Sequence, residues 1–166
     1  VYGITGSIAC GKSTVTRYLV EKGYKVVDAD QLSRDALTID RESILKVQNL
    51  FGCVNEGIVD RKALGKIVFH DAKAKRQLEG IIHPYVISKM KEEIEKNKDK
   101  DCIFLDIPLL YESHLEYLCD EIIVVYLNEK KQVQRLMTRD HIDEKYAYTI
   151  MNNQISSLKK KEMADI

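Results

Sequence analysis

The chain has no net charge: 26 Lys and Arg balance 26 Asp and Glu over 166 residues. That balance sets up no global field toward nucleic acid or an anionic membrane, and neither is expected as a partner. No apolar run approaches the ~20 residues of a membrane-spanning helix, and there is no signal-peptide pattern. Cys10, Cys53, Cys102 and Cys119 are scattered, with no CxxC pair and no histidine at ligand spacing. They suggest neither a zinc site nor a disulfide framework, and point to reducing cytoplasm. Internal repeats and low-complexity segments are also absent, and nothing calls for an obligate protein partner. What remains is one ordinary domain whose 45% apolar content is enough for a core. Val1 already lies inside an apolar strand, and the chain stops at Ala164-Asp165-Ile166 with neither helix cap nor polar tail. Both ends are expected to be cut short.

Against these absences stands one dense segment. Behind the apolar Val1–Ile4, the residues Gly6-Ser7-Ile8-Ala9-Cys10-Gly11-Lys12-Ser13-Thr14 fit the spacing of a phosphate-binding P-loop and run into a helical stretch. Glycine lets the backbone wrap so that successive N–H groups, from Ala9 and Cys10 through Thr14, turn inward as an anion nest. The helix N-terminus behind the loop adds favourable potential for negative charge. Lys12 would reach the β- and γ-phosphates, and the Ser13 hydroxyl would ligate Mg2+. Cys10 within the nest reads as a tolerated small residue. The segment predicts binding of a nucleoside triphosphate.

Alternating strands and helices carry it. Val1–Thr5, Lys25–Asp28, Cys102–Asp106 and Glu121–Leu127 read as strands, and their continuous apolar runs suit a parallel sheet covered on both faces. Helical periodicity is expected over 14–21, 41–51, 61–69, 73–82, 84–96, 130–138 and 144–157, with Gly23 and Gly52 at C-termini and Asp60 as an N-cap. His83 then stands at a helix entry before Pro84, as a structural residue or a substrate contact. Lys159-Lys160-Lys161 reads as a solvated face. About 70 residues separate the second strand from the third, far more than one crossover needs, so 31–99 is expected to be a helical acceptor-binding insertion. Residues 1–30 and 100–139 form the core, and the charged stretch from Glu129 onward leads into a lid at 140–160.

Candidate side chains gather at the carboxyl ends of the strands, where parallel sheets place their ligands. Asp28 and Asp30 end the second strand, where a carboxylate would orient an acceptor hydroxyl and take its proton; the competing role for one of the pair is to cap the helix expected from Gln31. Arg34, a helical turn beyond Asp30, would pair with it or meet an acceptor phosphate. Asp106 ends an apolar strand as a Walker B carboxylate does; it would hold a magnesium-bound water or stabilise the turn at Pro108. Glu112 follows at the same edge. Arg135 and Arg139, four apart, share a helical face from which to contact adenine or spread charge over the transferring phosphoryl group. A GTP-binding switch is nearly excluded: no Asp-x-x-Gly occurs, and Asn97-Lys98-Asp99-Lys100 has lysine where the base-reading aspartate belongs.

Taken together these residues resemble the dephospho-CoA kinase family. The resemblance runs through Gly3-Ile4-Thr5-Gly6 into Gly11-Lys12-Ser13-Thr14-Val15, then Asp28-Ala29-Asp30 with Arg34, Leu78-Glu79 and His83-Pro84. It continues with Asp106-Ile107-Pro108-Leu109-Leu110 and Glu112, and ends with Gln132, Arg135, Arg139, Gln154 and Ala164-Asp165. It implies a three-layer α/β P-loop kinase with a five-stranded parallel sheet, the fifth strand starting at Ala164-Asp165. It implies ATP with Mg2+ as donor, dephospho-CoA as acceptor, and Asp30 as base with Lys12 and Arg139 as catalytic partners. Asp28, Arg34, His83 and Glu112 are then expected on the acceptor, and Ser13 and Asp106 on the metal. Ser7 and Ala9 depart from the family's glycines; phosphate binding survives if their φ angles stay negative. A nucleoside monophosphate kinase would share loop, insertion and lid, and is the alternative reading.

Overall fold

In chain order the computed structural model, which describes residues 1–166, runs β1 (Tyr2–Thr5), α1 (Lys12–Glu21), β2 (Lys25–Asp28), α2 (Ala29–Thr38) and α3 (Arg41–Phe51). A short hairpin, β3 (Val54–Asn55) and β4 (Ile58–Val59), precedes α4 (Arg61–His70) and the long α5 (Ala72–Lys96). Then come β5 (Ile103–Asp106), β6 (Glu121–Val124), α6 (Glu129–Asp140), α7 (Glu144–Met151) and α8 (Ser157–Met163). The chain divides into two compact units, residues 1–28 with 94–166, and residues 29–93. No helix is long and apolar enough to cross a membrane.

The first unit holds a four-stranded sheet in the order β2-β5-β1-β6, every pair parallel. All four residues of β5 are buried, which is why its sequence is continuously apolar up to Asp106. After β1 the chain leaves to one side of the sheet, and after β5 it leaves to the other. The crevice at the carboxyl ends of these two neighbours is therefore a topological switch point. At the free edge of β6, the N–H of Val124 donates to the Ile166 carbonyl at 3.0 Å, and that of Ile166 donates to the Ile122 carbonyl at 3.1 Å. The Asp165 carboxylate accepts from the Ile122 N–H at 2.8 Å.

In the second unit, Leu37, Val47, Val59, Leu64 and Ile81 form a separate core. Its helices start where capping chemistry puts them: Asp40 accepts from the Ser43 N–H at 3.2 Å, and Asp60 accepts from the Ala63 N–H at 3.1 Å. Gly52, at φ 66°, ends α3 in the left-handed region. The hairpin has no alternating pattern long enough to mark it. Its turn, Glu56-Gly57, holds both residues at positive φ, as a tight two-residue turn requires.

Several elements differ from expectation. α1 begins at Lys12 and α2 at Ala29, each two residues early, so Asp30 lies inside the first turn of α2. Pro84 does not open a helix; it sits within α5, and His83 is an interior, exposed position. Proline removes only the bond to the carbonyl four residues back, here that of Gly80. Buried Ile81 on one side and Val86 and Met90 on the other keep the same helix running through it. The helix expected over 144–157 stops at Met151, and α8 begins anew with Ser156 as N-cap, accepting from the Lys159 N–H at 3.2 Å. Lys160 is not solvated but fully buried. Three consecutive helical residues sweep about 200° of the helix surface, so they cannot all face water when one side is packed.

Gly3 marks how closely the central strand is covered. A Cβ there would lie 2.6 Å from Cys119 Sγ and 2.8 Å from Leu110 Cδ1. Burial pushes the Cys119 thiol up to about 11, so it packs against the strand as a neutral group. Gly3→Ala is expected to lower the free energy of unfolding in urea by about 1–3 kcal/mol through overpacking. Adding Cys119→Ala should recover part of that loss; no recovery would place the strain elsewhere.

Candidate active site at the carboxyl edge of the sheet

The site begins with the backbone leaving β1. Gly6 passes so close to β6 that a Cβ would lie 2.8 Å from the Val125 carbonyl oxygen. The loop then turns on two left-handed residues, Ala9 at φ 61° and Gly11 at φ 93°, with the Cys10 N–H donating to the Ser7 carbonyl at 3.2 Å. Ala9 thus departs from the negative φ expected of it, at roughly 1–2 kcal/mol relative to glycine. That angle also corrects the condition placed on phosphate binding: a left-handed residue is itself part of the backbone alternation that turns N–H groups into an anion nest. Its methyl and the Ile8 side chain pack on Val133, Leu136 and Ala147, an apolar cluster that holds the strained residue in place. Gly11 caps α1 without any side-chain bond, so the first N–H groups of the helix carry no capping oxygen.

Lys12, in the first turn of α1, pairs with Asp106 at the end of β5; their side chains are 17% and 10% exposed. Asp28 is the register partner of Asp106 on the neighbouring strand, so two carboxylates stand side by side at this edge. Ser13 and Thr14 follow, exposed on the first turn of α1. Cys10 is buried, its Sγ 3.3 Å from Ser157 Oγ. No group of three or more His, Cys, Asp or Glu side chains is placed to hold a metal ion.

A cleft of about 490 Å³ opens beside the loop, lined by Ala9, Gly11 and Ser13 on one side and Arg135 and Arg139 on the other. Its size suits a small-molecule ligand. Arg135 leans over the loop: its Nη1 is 3.4 Å from where a Gly11 Cβ would stand. Arg139 makes a two-pronged ion pair with Asp140, Nε to Oδ1 at 2.8 Å and Nη2 to Oδ2 at 3.0 Å. The hydrogen bonding raises the arginine's pKa and lowers that of the aspartate. The α6 helix thus delivers both arginines to one cleft, with Arg135 nearer the loop's glycine turn.

A second group of side chains grips the loop from below. Ser7 Oγ donates to the Ile155 carbonyl at 2.8 Å, and Gln154 Oε1 accepts from the Ile8 N–H at 3.0 Å. Gln132 Nε2 donates to the Ile8 carbonyl at 2.7 Å. Glu112 was expected on the acceptor. Its Oε2 instead accepts from the Ile155 N–H at 3.2 Å and from Lys160 Nζ at 3.1 Å, and its Oε1 is buried without a partner. The bonds that Ser7, Ser157 and Lys160 make were not legible in the sequence, because a short hydroxyl and one lysine among three do not announce a distant partner. The spacing of Ser157 and Lys160, one helical turn, is the only trace of their shared inner face.

The remaining expected residues belong to the second unit. Asp30 lies exposed in the first turn of α2, and Arg34 Nη2 donates to Gln31 Oε1 at 2.9 Å on the same helix.

Comparison with known proteins bears on what such a site is for. A sequence model of the family described as dephospho-CoA kinase matches residues 1–166. The dephospho-CoA kinase of Fusobacterium nucleatum is 42% identical over 169 residues, spanning 100% of this chain and 86% of its own. That of Oceanobacillus iheyensis is 41% identical over 171 residues, with the same two coverages, 100% and 86%. Among solved structures, a dephospho-CoA kinase from Campylobacter jejuni superposes with a TM-score of 0.75 at 31% identity, covering 99% of this chain and 85% of that one. A Thermus thermophilus protein superposes with a TM-score of 0.80, also at 31% identity, covering 98% and 84%. With its whole length matched by the family's sequence model and its fold shared at such identity, the chain belongs to the dephospho-CoA kinase family.

Proposed function

We propose that the chain transfers the γ-phosphoryl group of ATP to the ribose 3′-hydroxyl of dephospho-CoA, giving coenzyme A and ADP, the last step of coenzyme A biosynthesis. The observation that carries this reading is the meeting of Lys12 and Asp106 at the switch point, beneath a loop with two left-handed residues and an uncapped helix start. In this reading residues 6–14 are a P-loop. Its N–H groups, those of Gly11, Lys12 and Ser13 among them, cradle the phosphates, and Lys12 turns from Asp106 to the β- and γ-phosphates. Cys10 and Thr14 line the same turn, with their N–H groups bonded to the Ser7 and Gly11 carbonyls. The donor set suits Mg2+: a hard ion that takes few protein oxygens and keeps phosphate and water ligands. Ser13 and Asp106 would hold it, and the ion would neutralise charge on the phosphoryl oxygens. Asp30 takes the proton of the acceptor hydroxyl while Asp28, Arg34 and His83 orient the acceptor. The bonds from Val124 and Ile166 across the free edge of β6 have the pattern of a parallel pair, which supports a fifth strand there. Within the lid at 140–160, buried Lys160 ties α8 to the core, so closure belongs to the α6–α7 corner around Arg139. A cytoplasmic setting suits its free cysteines.

Phosphorylation of dephospho-CoA and of nucleoside monophosphates, compared in one ATP-consumption assay, tests the acceptor. Turnover of dephospho-CoA is expected to exceed that of any monophosphate by about 10²-fold or more in kcat/KM. Preference for a monophosphate overturns the reading.

The two aspartates separate in the same assay. Asp30→Asn is expected to lower turnover by about 10²-fold or more while ATP binding persists, the usual worth of a general base. Asp28→Asn should act more mildly; the reverse order exchanges their roles.

Arg139 must leave Asp140 to reach a triphosphate, and only its planar fork then matches the spreading charge of a loose transition state. Arg139→Lys is expected to reduce kcat by about tenfold or more, with ATP affinity changed by less than about threefold. A neutral result passes the role to Arg135.

A further inference from the structure

We infer that Lys160 and Glu112, acting through the Ile155 backbone and Ser7, are positioning residues that hold the phosphate loop in its binding shape. The inference rests on reading residues 6–14 as the ATP site. Its basis is a continuous chain of bonds that ends inside the loop at buried Ser7. Lys160 Nζ, with no solvent exposure, donates to the Pro108 carbonyl at 3.2 Å and pairs with Glu112 Oε2 at 3.1 Å. The same Glu112 oxygen accepts the Ile155 N–H, and the Ile155 carbonyl accepts Ser7 Oγ inside the loop. The backbone of one residue, Ile155, is thus held at its N–H by the buried ion pair and at its carbonyl by the loop. Pro108 closes the circuit: its carbonyl also accepts Thr5 Oγ1 at 2.9 Å, at the end of the strand that launches the loop.

Folding stability alone gives no reason for this arrangement. A buried ion pair seldom outperforms well-packed apolar residues of the same volume, because two charges must be stripped of water. Glu112 Oε1 adds a further cost, since it is buried with no partner. Such a cost persists where a fixed geometry is needed. The geometry fixed here is that of Ser7 and the strained Ala9, two residues further on. Ser7 is also one of the two positions where this chain departs from the glycine-rich family loop, and its hydroxyl is the group that completes the connection.

The test compares MgATP binding by calorimetry, steady-state KM values for both substrates, and thermal melting. Lys160→Met alone leaves an unpaired buried carboxylate and is expected to melt far below the wild type. The paired variant Lys160→Met/Glu112→Leu removes both charges and should keep most of the melting temperature while leaving the Ile155 N–H unheld. In it the Kd and KM for MgATP are expected to rise by about tenfold, the size of one charge-assisted hydrogen bond, with the KM for dephospho-CoA changed by less than about threefold. Ser7→Ala should move the same two quantities in the same direction by about threefold or more at unchanged melting temperature. A folded paired variant that binds MgATP like the wild type, or one whose two KM values rise together, overturns the proposal. Wild-type protein that fails to bind MgATP overturns the reading of the loop itself, and the positioning role with it.

Discussion

Everything functional in the first unit depends on β1 being hydrogen-bonded on both sides, to β5 through Tyr2, Gly3 and Ile4 and to β6 through Tyr2 to Thr5. A central parallel strand cannot shift register without breaking two ladders at once. Its last residue therefore fixes where the loop departs, and its neighbours fix what stands beside the loop. β5 brings Asp106 level with Ile4, and one strand further out β2 brings Asp28 level with Asp106. Side-chain contacts at the edge are consequences of that backbone pairing. The close approaches have a different cause: the Cys119 and Leu110 side chains cover the sheet face at Gly3, and the Val125 carbonyl, just past β6, stands against Gly6.

Two lysine–carboxylate pairs in this unit join residues far apart in the chain, and they differ in burial. Lys12 and Asp106 keep partial exposure at the carboxyl edge of the sheet, where, in the function proposed above, a ligand phosphate and a divalent ion would take over each partner. Exchange of that kind is cheap because each charge finds a new counter-charge. Lys160 is sealed, and its carboxylate partner is shared with a backbone N–H. No ligand can replace those bonds without opening the packing around α8. On the proposed reading, the first pair would change partners during a reaction cycle and the second would keep a shape while that happens.

Much of the fold was legible because its signals are local. The strands are short apolar runs ended by polar residues, and α3 and α4 are framed by Asp40, Gly52 and Asp60, whose capping and left-handed roles depend on a few neighbouring atoms. Where local rules misled, packing had outweighed them. Pro84 reads as a start and Glu144–Ser157 as one helix. Burial on both sides of Pro84 carries α5 through it, and the chain breaks after Met151 so that Gln154, Ile155 and Ser157 can reach the loop and the end of β6.

The sequence by itself determined the phosphate-loop spacing, the carboxylates at strand ends, the arginines on one face of α6 and the family to which they point. These are short-range patterns, in which a residue's neighbours in the chain are also its neighbours in space. Only the tertiary structure decided that Ala9 is left-handed, that Arg139 is held aside by Asp140, and that Lys160 rather than Lys159 or Lys161 is buried against Glu112. Those outcomes join residues as far apart as Ser7 and Ile155, and depend on which side of a helix meets the sheet. Chain-local periodicity does not specify that; dense packing and the cost of leaving a buried polar group unpaired do.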